Sequence, residues 1–237
     1  MHLLFKVLDA FSAIFLPPLP QILQQPNVPA YLIYSSTAVL IGYYILDTLI
    51  LPHDRTRRSK SWTLSVMVSL IMTLLSIPCI FQYLIYGFTT VAPNEFHLFM
   101  CCFFIAFVVW DLLLGLFLYR DELDLLVAWI HHLGYFSLLV NLIYYNAMHP
   151  FCVASIMELP TFILALGHVW PQFRQNIGFG MSFFVTRIVF HLYLIVQMYI
   201  YYTPYWWMVM AGIFPLHAFW FTNWCTWYCN QGKIHFE

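Results

Sequence analysis

The run FHLFMCCFFIAFVVWDLLLGLFLY (residues 96–119) decides the fold class. Asp111 is its only charged residue, and it exceeds the roughly 20 residues that carry a helix across the hydrocarbon core of a bilayer. A backbone surrounded by lipid finds no outside partner for its N–H and C=O groups, so such a run must be helical. Reading outward in both directions finds further apolar segments near 30–51, 61–88, 123–146, 150–170, 177–202 and 204–229. The second of these has slack for a tilt or a kink at Pro78. The expected architecture is all-α, a polytopic membrane bundle of about seven transmembrane helices around a central cavity.

Composition agrees with that reading. Of 237 residues, 62% are hydrophobic and 8% charged, whereas a soluble domain carries about a quarter charged residues. This excludes a cytosolic enzyme, and the apolar excess excludes disorder. Nine basic and ten acidic residues give a net charge of −1, so no basic face exists for a nucleic acid. Cys79, Cys101, Cys102, Cys152, Cys225 and Cys229 lack paired-ligand spacing and read as reduced thiols, mostly in the core.

The flanks divide the chain into three parts. Residues 1–29 form an N-terminal segment, interfacial up to Leu16, followed by a proline-containing linker. Residues 30–230 form the transmembrane domain, and 231–237 a cytoplasmic tail. With seven spans and the N-terminus outside, Arg55, Arg57, Arg58, Lys60, Arg120, Arg174 and Lys233 fall on the cytoplasmic side, against Lys6 alone on the other. That asymmetry predicts an N-out, C-in topology. Tyr and Trp gather near several expected helix ends, as interfacial anchors do.

Polar residues inside these spans carry the functional reading. At about 1.5 Å per residue, Asp111, His131, Arg187, Glu158, His217 and Asn223 come out about 9–18 Å from the cytoplasmic ends of their helices. Each such group costs roughly 2.5–3.5 kcal/mol if left facing lipid, so they are expected to face inward and satisfy one another. Asp111 or Glu158 pairs with Arg187, and the histidines donate to the remaining carboxylate while keeping a ring nitrogen free. Tyr135 stands one turn from His131, and His191 one turn from Arg187. His53, His97, His149, His168 and His235 fall in loops or at ends and are expected to be solvated. Adjacent histidines point apart and no H-x₃-H spacing occurs, so no metal site is expected.

The stretches FVVWDLLLGLFLYRDELDLLVAWIHHLGYF (107–136), MELPTF (157–162), FFVTRI (183–188) and HAFWFTNW (217–224) together resemble the TLC-domain family over roughly residues 31–230. The resemblance rests on the order of an aspartate in one span, a double histidine opening the next, a Glu–Leu–x–Thr step, an intramembrane arginine and a Trp/Asn helix. It implies a helix bundle around a cavity, residence in the endoplasmic reticulum and a role in lipid homeostasis. Ceramide synthases of that family join an acyl group from acyl-CoA to a sphingoid base. They carry a His-Asp step in the span after the double histidine, where this chain has Glu158. In that respect the chain is similar to the small TLC-domain proteins linked to membrane phospholipid composition.

The resulting expectations are these. His131 and His132 act as base or acyl acceptor, oriented by Asp111, with Arg187, Glu158, His217 and Asn223 holding a lipid or anionic group. No cofactor is expected; the partners are membrane lipids, with acyl-CoA in the enzyme reading, and not a nucleic acid. The alternatives are a non-enzymatic lipid or cargo binder that regulates membrane composition or trafficking, and a bundle whose polar residues only lock helices together.

Overall fold

The computed structural model describes residues 19–52, 54–88, 91–201 and 206–234. Among them every regular element is helical and no strand occurs. We label the long helices α1 (Val28–Ile50), α2 (Arg57–Tyr86), α3 (Glu95–Leu118), α4 (residues 125–144), α5 (His149–Val169), α6 (Asn176–Tyr201) and α7 (Trp206–Ile234). They coincide with the seven apolar segments to within a few residues. α1, α2, α3, α5 and α6 are long and apolar enough to cross a membrane. In α7 the many indoles and Asn223, Asn230 and Lys233 dilute the apolar character. The interfacial segment expected over residues 1–16 lies outside the described residues. The expected linker contains one helical turn, Leu19–Ile22, anchored by the fully buried Ile22. α7 runs past the expected boundary at residue 230.

Local chemistry sets the helix ends. Asn94 caps α3: its Oδ1 accepts from the N–H groups of Phe96 and His97, and His97 Nδ1 accepts from the Asn94 N–H at 3.2 Å. This closes a capping box built with histidine in place of the usual Glu or Gln. At the end of α2, Gly87 takes φ 71° and donates to the Tyr83 carbonyl at 2.7 Å, the left-handed stop that glycine adopts without a Cβ penalty. α2 continues through Pro78. Among the described residues three helices contain a π segment: Leu46–Ile50 ends α1, Leu125–Ile130 opens α4, and Phe184–Phe190 sits inside α6.

The chain forms two compact units. The first comprises residues 1–68 and 92–152 and centres on α3. There 61% of the most apolar window is buried, against 17% in α1, so α1 is peripheral and keeps most of its apolar side chains outward. Tyr31 of α1 meets Phe99 of α3 edge-on at 6.1 Å, and Phe104 of α3 packs on Phe151 at 5.6 Å. The second unit comprises residues 69–91 and 153–237. In it Tyr83 and Tyr193 join hydroxyls at 2.8 Å, and Phe183 stacks on Phe221 at 6.0 Å. Large apolar side chains such as Leu49, Leu84, Ile85 and Phe117 stand well exposed. An apolar surface of that extent belongs against lipid or protein.

Candidate functional site

In the first unit Asp111 and His132 form a buried pair, Oδ2 to Nε2 at 3.1 Å, with both side chains about one-tenth exposed. Asp111 sits on α3 and His132 in the second residue of the α-helical part of α4, directly after the π segment Leu125–Ile130. A π segment loosens the i→i−4 ladder and recurs at functional sites. Here His132 Nδ1 lies 2.7 Å from the Ala128 carbonyl oxygen. A carbonyl only accepts, so Nδ1 carries a hydrogen and Nε2 faces the carboxylate. The contact brings an acid and an imidazole together by distance, without the alignment of a hydrogen bond.

Two further polar atoms stand beside this contact. They are Asp111 Oδ1 and the Tyr119 hydroxyl, both buried; Tyr119 stands close enough to Asp111 to feel its charge and its hydrogen-bonding capacity, so the two are neighbours rather than isolated groups. His131 takes the other direction around α4. It is half-buried, its ring 4.7 Å from Tyr135 and 5.7 Å from His132. The double histidine thus divides into one ring locked on Asp111 and one stacked on Tyr135. The expected free nitrogen is not found on His132, because the Ala128 carbonyl takes Nδ1.

The second unit holds a different cluster. Arg187, inside the π segment of α6, donates from Nε to the Met157 carbonyl at 2.8 Å and from one terminal nitrogen to Thr161 Oγ1 at 2.6 Å. The same nitrogen lies 3.8 Å from Glu158 Oε1, and the guanidinium sits 5.3 Å over the Phe183 ring. The Glu–Leu–x–Thr step thus receives Arg187 at both ends, through Glu158 and Thr161. One turn on, His191 does not join Arg187. Its Nε2 donates to the Met210 carbonyl at 3.1 Å, and its Nδ1 meets His217 Nδ1 at 2.9 Å. With both rings neutral, His217 is the donor of that bond, and a hydrogen-bonded chain runs from His217 through His191 to the backbone. Asn223 is exposed on α7 and joins neither group.

Several features escaped the sequence reading. Asp47 pairs with Arg55, whose Nη1 also donates to the buried Thr63 Oγ1 at 3.0 Å. Arg57 and Arg58 bind Asp121 and Glu122 at 2.8 and 3.2 Å, which fastens the start of α2 to the Arg120–Glu122 turn. His97 and His149, expected to be solvated, are instead almost completely buried, with rings 5.0 Å apart. The reason is the capping box: once His97 Nδ1 closes it, the ring lies against the helix, where His149 covers it. His168 is half-buried, while His53 and His235 lie outside the described residues. Cys79, Cys101, Cys102 and Cys152 are buried as core thiols, whereas Cys229 is exposed. Among the described residues no group of three or more His, Cys, Asp or Glu is placed to hold a metal ion.

Fold and site together define a class, a helical membrane-type protein with neutralised ion pairs inside its helix packing. Comparison with family models, with curated proteins and with solved structures finds no match to this chain.

Proposed function

We propose that this protein is a multipass membrane protein of the TLC type, with seven spans enclosing a lipid-holding cavity, that acts in lipid homeostasis in the endoplasmic reticulum. In this reading the N-terminus is lumenal and the C-terminus cytoplasmic. The observation that carries it is the buried Asp111–His132 contact at 3.1 Å, an acid and an imidazole from two helices brought together inside the packing. Groups of this kind inside a membrane domain are retained for function more often than for packing.

Both ring nitrogens of His132 are engaged, so His131 is the base in the enzyme version, and His132 with Asp111 holds the helix that presents it. His131 takes a proton from an amine nucleophile, whose nitrogen attacks the carbonyl carbon of an acyl-CoA thioester. A C–N bond forms, the C–S bond breaks, and the departing thiolate is protonated. The second reading is a non-enzymatic lipid binder. It is favoured by Arg187, whose bonds to Met157 and Thr161 and contact with Glu158 leave it poorly placed to stabilise an oxyanion.

The experiment compares lipid profiles of cells expressing the native chain, His131→Ala, and His131→Ala with His132→Ala. A changed profile for His131→Ala at normal protein level supports catalysis. Unchanged profiles in both variants, with lipid still co-purifying, remove the catalytic version and leave the binder.

A further inference from the structure

Between the end of α5 and the start of α6 the second unit contains a cavity of about 200 Å³. Pockets that enclose a whole small-molecule ligand run to roughly 300–1,000 Å³, so this one takes part of a molecule and leaves the rest outside. Its lining divides by chemistry. Ile163, Leu164 and Phe179 give an apolar wall, while Arg174 and His168 supply nitrogen donors, and no Asp or Glu contributes.

Arg174 is exposed, and its Nε donates to Asn176 Oδ1 at 3.1 Å. No carboxylate pairs with it among the described residues. It differs in this from Arg55, Arg57, Arg58 and Arg187, each of which has an acid.

Trp224 forms a second wall and is held in place. Its indole lies flat over Gly180, so closely that a Cβ there would collide with the six-membered ring. It also stacks between Phe221 at 5.8 Å and Tyr228 at 5.3 Å. The indole Nε1 of this fixed ring is buried and has no hydrogen-bond partner. That nitrogen is closed off from the cavity, so the wall Trp224 presents is its aromatic ring. The lining therefore sets one cation with no anion, Arg174, beside apolar and aromatic walls, and that lack is met by an anionic oxygen acceptor. Trp227, beside it in the lining, adds the amphipathic aromatic character of a membrane interface.

We propose that this cavity binds the phosphate group of an anionic phospholipid. Arg174 pairs with the phosphate, for which its planar fork of donors is suited. The acyl chains leave along the apolar wall of Ile163 and Leu164. The site belongs to the second unit and does not rest on the Asp111–His132 reading, which belongs to the first.

The test uses the full chain purified in detergent and native mass spectrometry of bound lipid. Phosphatidic acid and phosphatidylcholine with identical acyl chains are supplied, and inorganic phosphate serves as competitor. The native chain retains phosphatidic acid over phosphatidylcholine. Arg174→Gln lowers that retention by about five- to tenfold, the loss of one interfacial cation, and Arg174→Lys falls between. Because Arg174 is exposed, its variants keep native helical circular dichroism. Equal retention of the two lipids, or full retention by Arg174→Gln, overturns the site. Displacement of phosphatidic acid by inorganic phosphate at matched concentration overturns the lipid as its source.

Discussion

The buried contact between Asp111 and His132 has a consequence that a double substitution exposes. His132→Ala removes the imidazole and strands a carboxylate that is 7% exposed. Breaking a buried pair from one side costs about 3–5 kcal/mol. At about 2–4 °C per kcal/mol for a chain of this length, the midpoint of thermal unfolding in detergent falls by roughly 6–20 °C. Asp111→Asn is milder, because the new amide donates to His132 Nε2 while Nδ1 keeps the Ala128 carbonyl. It trades a charged contact for a neutral one, a loss of about 1 kcal/mol. The decisive measurement is Asp111→Asn introduced into His132→Ala. Removing the stranded charge must raise the midpoint above that of His132→Ala alone, recovering about half of the loss. A double variant less stable than His132→Ala would refute the ion pairing of Asp111 with His132.

Three further outcomes follow from the same packing. Arg187→Gln should cost about 3–5 kcal/mol, since it strands Glu158 and deletes the bonds to Met157 and Thr161, whereas Glu158→Gln leaves Arg187 those two bonds and acts across 3.8 Å, so it should cost less, about 1–3 kcal/mol; thermal unfolding of the two variants reads the difference. Gly180→Ala, which in an open helix would stabilise by up to about 1 kcal/mol, should instead destabilise by about 1–3 kcal/mol through collision with Trp224, and should shift the tryptophan emission. Tyr119→Phe deletes the buried hydroxyl beside Asp111, so thermal unfolding should show a loss of about 1 kcal/mol; a gain in stability would mean that the hydroxyl makes no use of the carboxylate.

Helix positions were legible because the breaks are chemically abrupt. Pro52 to Lys60, Pro93–Asn94, and the acidic turn Asp121–Asp124 interrupt apolar runs that have no alternative to helix in lipid. The rough pairing of charges was legible too, since three intramembrane ionic types must neutralise one another, and the structure joins Arg187 to Glu158 and a histidine to Asp111. What could not be read was which histidine. Adjacent positions differ by about 100° around a helix, and the choice was made by the π segment before them, for which no proline or glycine gives warning. The burial of His97 was equally hidden, because a histidine closing a capping box looks in sequence like any polar residue at a helix start. Asn223 shows the opposite failure: its depth along α7 was right for a polar cluster, but its azimuth turns it outward.

The ion pairs also say where chemistry has to be sought. Each unit neutralises its buried charges locally: Asp47 with Arg55 and Asp111 with His132 in the first, Glu158 with Arg187 in the second. That arrangement lowers the insertion cost of each group and by itself accounts for a stable bundle, so a closed pair is weak evidence for function. The informative places are those where neutralisation stops short. In the first unit this is the Asp111 carboxylate, which faces both His132 and Tyr119. In the second it is Arg174, which donates to Asn176 and has no acid among the described residues. Substitutions at these positions separate a binding role from packing alone, because the closed pairs respond to both in the same way.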